Sequence, residues 1–300
     1  MYRSFLGVLA QGSLSGAARA LGVAQPTVGR HVTALEQALK LVLFTRTLTG
    51  LVPTEAALGL QPHAQAMASA AQALQRAAEG QGDGVQGTVR ITASEMMGLE
   101  VLPPMLAQLQ ERHPGLRIEL VLSNRVQNLL NREADIAVRH VRPTQGPLVA
   151  RHVGTVVLGL HAHRRYLDQQ GRPRHEDQLA QHRLIGHDVE TPYLRQAGKA
   201  RPAWRRAAFS ARCDSDAAQF ALIRAGAGIG VCQVPLARRD KALVRVLADR
   251  VAVPLEVWLA VHEDLRHSPR CKTTFDALAA GLSRYCGAAQ SQGTASAGLA

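Results

Sequence analysis

GSLSGAARALGVAQPTVGRHVTALEQALKLVLFTRTLTGLVPTE, residues 12–55, reads as two short helices, a tight turn and a β-hairpin. In the first helix Ala17, Ala18 and Leu21 fall at helical spacing. Ser13 or Ser15 can cap it, because a serine oxygen accepts an orphan backbone N–H. Gly22 follows as a stop residue that tolerates positive φ. The second helix opens at Gln25-Pro26, since proline is tolerated in a first turn whose N–H groups lack partners. Val28, Val32, Leu35 and Leu39 form its apolar stripe and are expected to pack inward. The opposite face then presents Gln25, Thr27, Gly29, Arg30 and His31. Gln pairs with adenine and Arg with guanine in the major groove.

This segment resembles the winged helix-turn-helix of the LysR-type transcriptional regulators. The matching residues are AARALGV at 17–23, QPTV and Arg30 at 25–30, Leu35-Glu36, LFTR at 43–46 and TGLVPTEA at 49–56. The spacing from second helix to wing matches with no insertion. The resemblance implies DNA contacts from Gln25, Pro26, Thr27, Gly29, Arg30 and His31, and from Arg46, Thr49, Gly50 and Thr54 of the wing. Two positions depart from the family. Ala24 replaces the usual capping Ser, at a cost of about 1 kcal/mol. Gly29 replaces a Ser, which removes a phosphate contact and weakens the helix by about 1 kcal/mol. Met1-Tyr2-Arg3-Ser4-Phe5 enters what looks like the middle of the family's first helix, so a start further upstream is expected.

Beyond the wing, Thr54 can cap a helix running to about Glu79. Leu60, Ala64, Met67, Ala71, Leu74 and Ala78 fall at steps of 4, 3, 4, 3 and 4, a seam of the coiled-coil type. At 1.5 Å per residue such a helix is about 39 Å long. Pro62 is expected to kink it near Leu58. In the family this helix joins two subunits, which implies a homodimer or homotetramer. GQGDGVQG, residues 80–87, has four glycines in eight residues and reads as a hinge.

After Gly87 the pattern becomes α/β. Strands are predicted at 88–94, 116–123, 134–139, 149–163, 229–232 and 256–262, with helices at about 98–112, 215–225 and 270–284. Strands alternating with helices imply a parallel sheet. GTVRITA at 87–93, LPPMLAQLQERHPG at 102–115, ADIAVR at 134–139 and the glycine-rich run to Pro235 resemble the effector domain of the same family. That resemblance implies the two-lobed type II periplasmic-binding-protein fold. The expected organisation is a DNA-binding domain at 1–55, a linker helix at 56–79, a hinge at 80–87, an effector domain at 88–287 and a disordered tail at 288–300. Within the effector domain, one lobe takes about 88–157 and 263–287 and the other about 158–262.

In open α/β sheets ligands bind at strand carboxyl ends, near helix N-termini. Ser94 and Glu95, Ser123 and Asn124, and Arg139 and His140 occupy such ends. Asp214, Ser215 and Asp216 open a helix facing the same cleft in the family's fold. The serines also suit helix caps, and Arg139 also suits an ion pair with Glu95 or Asp214. The mixture of Arg139, His140 and hydroxyls favours a small carboxylate.

The net charge of +12 suits a polyanion, yet residues 1–60 carry only five Arg or Lys against two acids. Residues 139–212 carry fourteen against five, which fits an arginine-rich surface, an anionic ligand or extra contact with bent DNA. The four cysteines, Cys213, Cys232, Cys271 and Cys286, form no CxxC pair and read as reduced thiols of a cytoplasmic protein. His161 and His163 share a strand face without a third ligand, so no metal and no cofactor is expected. In AGAGIG the glycines follow a helix and precede a strand, the reverse of a phosphate-binding loop. No G-x-S-x-G frames a serine, and no enzyme is expected. No run of 18 apolar residues suggests a membrane span. The expected partners are double-stranded operator DNA, a small-molecule effector, RNA polymerase and a second copy of the chain. A small-molecule-binding protein or enzyme on the same fold, and a nonspecific nucleoid protein, are the alternatives.

Overall fold

The computed structural model describes residues 1–47, 50–79, 84–124, 134–143, 148–190 and 204–290. Thr49, the first half of the expected hinge and most of the expected tail lie outside the described residues. The chain divides into an N-terminal unit holding residues 1–79 and a C-terminal unit holding the described residues from 84 onward, apart from Ala134.

The N-terminal unit comprises α1 (Tyr2–Gln11), α2 (Leu14–Leu21), α3 (Gln25–Leu39), β1 (Phe44–Thr47), β2 (Gly50–Pro53) and α4 (Glu55–Glu79). Phe5, Val8, Ala17, Val28, Val32 and Leu35 meet in its core. Ser13 is the cap of α2, accepting from the Gly16 N–H at 3.0 Å, and Gly22 ends the helix at φ +65°. Ala24 caps nothing with its side chain, so α3 starts on Pro26 alone. Leu39 departs from the expected stripe. It is 39% exposed, because the chain reverses at Lys40 in the left-handed conformation before another turn can bury it.

Helix α4 also departs from expectation. Thr54 does cap it, accepting from Ala57 N at 3.2 Å. But Ala64 is buried in the N-terminal core and Leu60 packs against that core, so the first two residues of the expected seam serve their own unit. Met67 and Leu74 are 48% and 72% exposed, and Ala71 and Ala78 are exposed with them.

The C-terminal unit is built on a seven-stranded sheet. β3 (Gly87–Ala93) lies between β4 (Leu116–Leu122) and β5 (Ile136–Arg139), all parallel. The expected third strand begins two residues late, because Asp135 turns its carboxylate to the backbone N–H of Arg90, 2.8 Å away. A π-helical turn at Met97–Val101 leads into α5 (Leu102–Arg112). The long β6 (Leu148–His163) pairs antiparallel with β11 (Val253–His262), which pairs with β5. Toward its end β6 also takes β9 (Gly230–Gln233) and β10 (Leu243–Val246).

Shorter elements complete the second lobe: α6 (Arg164–Gln170), β7 (Leu184–Gly186), β8 (Phe209–Arg212), α7 (Asp216–Arg224) and α8 (Val234–Ala237). Helix α9 (Pro269–Gln290) covers the first lobe's side of β6. Of these, α6, β7, β8, α8 and β10 were not expected from the sequence.

The β6–β11 register shifts between Val257 and Trp258, opposite Gly154. Gly154 has φ +147°, and a Cβ there would lie 2.5 Å from Cys286 Cβ on α9. Both the bulge and the close helix therefore need glycine. Gly154→Ala is expected to cost about 1–3 kcal/mol in urea unfolding. A change within about 0.5 kcal/mol, the range of ordinary surface substitutions, contradicts this role.

Candidate functional site

The N-terminal unit presents one polar helix face. Val28 and Val32 hold α3 against the core, which leaves Gln25, Pro26 and Arg30 exposed and Thr27 and Gly29 half-buried. Gln25 Oε1 accepts from Ser15 Oγ at 3.1 Å, which joins the turn to the start of α3. A Cβ on Gly29 would touch Leu14 Cδ1 at 3.7 Å, so the backbone there does not demand glycine. His31 does not share the face. Its Nδ1 lies 2.9 Å from Ser4 Oγ of α1, which turns the ring back toward the core.

The hairpin is set by a residue absent from the expected contacts. Glu36 accepts from the backbone N–H groups of Leu43 at 2.8 Å and Phe44 at 3.4 Å, fixing β1 against α3. Arg46 is exposed on β1. Gly50 and Thr54 hold structure. Gly50 has φ +136°, and a Cβ there would meet Gly12 O at 2.7 Å. Thr54 Oγ1 donates to Val42 O at 2.8 Å while capping α4, so its hydroxyl is spent.

In the C-terminal unit a cavity of about 270 Å³ opens between the two lobes, a size suited to a small ligand. Leu158 and Leu160 of β6 line it, with Met96, Trp204, Phe220 and Val253 among the other apolar walls. Its polar side chains include Ser94 and His140 from one lobe and His187, Asp216 and Gln219 from the other.

Of the residues expected at the cleft, Ser94, His140 and Asp216 line this space. Arg139 does not. Its guanidinium donates to Thr92 Oγ1 at 2.8 Å and to Val138 O at 3.0 Å, and it pairs with neither Glu95 nor Asp214. Consecutive residues at a strand end point to opposite faces, so turning His140 into the cavity turns Arg139 away. Ser123 continues the sheet through its N–H to Ala93 O at 2.9 Å.

Glu95, Asn124, Asp214 and Ser215 form bonds beside the cavity instead of lining it. Ser215 Oγ donates to Glu95 at 2.8 Å, and Asn124 Nδ2 to Asp216 at 3.4 Å, two bonds that tie one lobe to the other. Asp214 accepts from the backbone N–H groups of Asp188 and Val189 at 3.0 and 2.9 Å. Ser215 is also the α7 cap, accepting from Ala218 N at 3.2 Å.

Burial shapes the protonation states. It raises the Asp216 carboxyl, with Glu95 adding to the shift and His187 opposing it. It lowers His140 and so holds that ring neutral. His140 Nδ1 lies 2.9 Å from the Glu256 carbonyl, which can only accept, so Nδ1 carries the proton. Nε2 is then an acceptor, facing Ser94 Oγ at 3.3 Å.

The two histidines at the end of β6 do separate jobs. His163 Nδ1 accepts from Arg165 N at 3.1 Å and caps α6. His161 is buried beneath the cavity wall, its Nδ1 3.0 Å from Gly159 O and 3.2 Å from Cys232 Sγ. Burial pushes the His161 ring down to about 4 and the Cys232 thiol up to about 12.

The unfolded His161 therefore binds a proton near its ordinary value, while the folded one resists it until about pH 4. Stability is full above the unfolded value and falls as pH drops through this window. The loss is on the order of 3 kcal/mol. His161→Gln, which keeps a donor for Gly159 O, is expected to flatten urea-unfolding stability between pH 6.5 and 4. A slope equal to that of the parent contradicts this assignment.

Comparison with known proteins places both units. Residues 1–58 match the family model described as bacterial regulatory helix-turn-helix protein, lysR family. Residues 82–283 match the LysR substrate binding domain. An HTH-type transcriptional regulator of Xanthomonas campestris pv. campestris is 31% identical over 181 residues, 60% of this chain and 53% of that protein. The chain thus spans about half the length of that curated relative. The solved structure of CrgA, a LysR-type regulator from Neisseria meningitidis, is 26% identical with a TM-score of 0.57, covering 94% of this chain and 97% of that one. Full-length CbnR complexed with its target DNA has a TM-score of 0.66 at 18% identity, covering 93% and 98%, and is similar in fold.

Proposed function

The chain belongs to the LysR family of bacterial regulatory helix-turn-helix proteins, and we propose that it is a sequence-specific transcriptional regulator governed by a small-molecule effector. The observation that carries this reading is the presence on one chain of an exposed helix face and a ligand-sized cavity, each within its own family match. The proposed domains are residues 1–55 for DNA, 56–79 for subunit pairing, 80–87 for the hinge and 88–287 for the effector.

Gln25 and Arg30 are proposed to read bases, with Thr27 and Gly29 approaching the backbone between them. Arg46 supplies a phosphate contact from the wing. The target DNA held by CbnR supports operator DNA as the partner. Exposed Met67 and Leu74 on α4 are proposed to meet a second subunit, which leaves Leu60 and Ala64 to the N-terminal core. A paired regulator then addresses half-sites about 34 Å apart, or a multiple of that. Such a protein acts in the cytoplasm and carries out no catalysis.

Arg30→Ala is expected to weaken binding to the preferred site, selected from a random-sequence duplex library, by about 1–3 kcal/mol. Binding to random duplex is expected to change less. Equal loss on both duplexes assigns Arg30 to phosphate alone and overturns the base-reading role.

A further inference from the structure

We infer that the interlobe cavity selects a compact apolar amine, with its ammonium against Asp216 and its body between the two leucines of β6 and Phe220. The inference rests on the effector reading above and names the chemical class that the site admits.

The polar end of the cavity is rich in acceptors. Ser94 spends its hydroxyl proton on His140 Nε2, 3.3 Å away, and so turns lone pairs outward. His140 spends its one N–H on the Glu256 carbonyl. Gln219 commits one of its two amide N–H groups to Cys213 O at 2.6 Å and keeps its carbonyl oxygen as an acceptor. Gln233 is occupied at both ends, by Tyr285 Oη at 2.5 Å and Met97 Sδ at 3.8 Å. His187 stands 3.8 Å from Asp216 and 3.9 Å from Asp214, so its ring nitrogens face carboxylates. Asp216 is then the one acidic side chain lining the cavity among the described residues, and no Lys or Arg lines it.

A ligand carboxylate would meet Asp216 and further lone pairs with no Lys or Arg on the described walls to offset them. An ammonium brings donors to that acceptor set. It also neutralises a carboxylate that burial otherwise disfavours, so amine binding weakens as acid protonates Asp216.

The test is calorimetric titration and thermal melting of the full chain with 2-phenylethylamine, 2-phenylethanol and phenylacetate. These probes share a ring and differ only in the polar end. The amine is expected to bind at least tenfold more tightly than phenylacetate. Asp216→Asn is expected to weaken the amine tenfold or more and leave 2-phenylethanol within twofold, which also shows that the variant's cavity is intact. Phenylacetate binding more tightly than the amine, or an amine affinity unmoved by Asp216→Asn, overturns the amine class and leaves the effector cavity standing. No binding by any of the three overturns both.

Discussion

A single strand of sixteen residues, Leu148–His163, has to satisfy hydrogen bonds in both halves of the C-terminal unit. At about 3.3 Å per residue it spans roughly 50 Å, more than one sheet of this size requires. Its first part pairs with β11, and its last part takes β9 and β10. The bulge at Gly154 lets it bend, and the tight seat of Gly154 on α9 fixes where the bend falls. Where the strand changes partners it cannot pack equally against both lobes. Leu158 and Leu160 line the space left there. The cavity follows from the strand's double membership, and the side chains around it decide what enters.

Electrostatics at that place run against the chain as a whole. The net charge is +12, yet the described cavity walls hold one carboxylate and no Lys or Arg. Burial raises Asp216 and keeps His140 neutral, so both groups gain when a donor arrives. Two bonds, Ser215 to Glu95 and Asn124 to Asp216, already join the lobes across the cavity's edge. A ligand that competes for Asp216 therefore acts on the same contacts that set the lobes' separation. A ligand shifts such an equilibrium only by binding one arrangement more tightly than the other.

The N-terminal unit was largely legible in the sequence because its signals are local. Ser13, Gly22 and Thr54 act within three or four residues of themselves, and the step of Val28, Val32 and Leu35 marks the buried face. What local patterning missed involves distant partners. His31 looked exposed by helical position, but Ser4 draws it inward. Leu60 and Ala64 fit a coiled-coil seam, but the N-terminal core reaches them first.

In the C-terminal unit the strand carboxyl ends were visible, yet Arg139 and His140 could not both enter the cleft. Strand parity decides between them, and neither residue's identity reveals the parity. Strands β7, β8 and β10 have three or four residues each, too few for alternation to register. Trp204, His187 and Phe220 reach the cavity from separate segments, and only folding brings them together.

Effector control requires that cavity and operator be coupled through one protein. Thermodynamic reciprocity makes this measurable from the ligand's side. The affinity of a cavity ligand is to be determined by titration for the free protein and for the protein saturated with its selected duplex. The two affinities are expected to differ by about fivefold or more, the lower end of typical allosteric coupling. Equal affinities in the two states would contradict that coupling, because a ligand indifferent to DNA cannot regulate DNA binding.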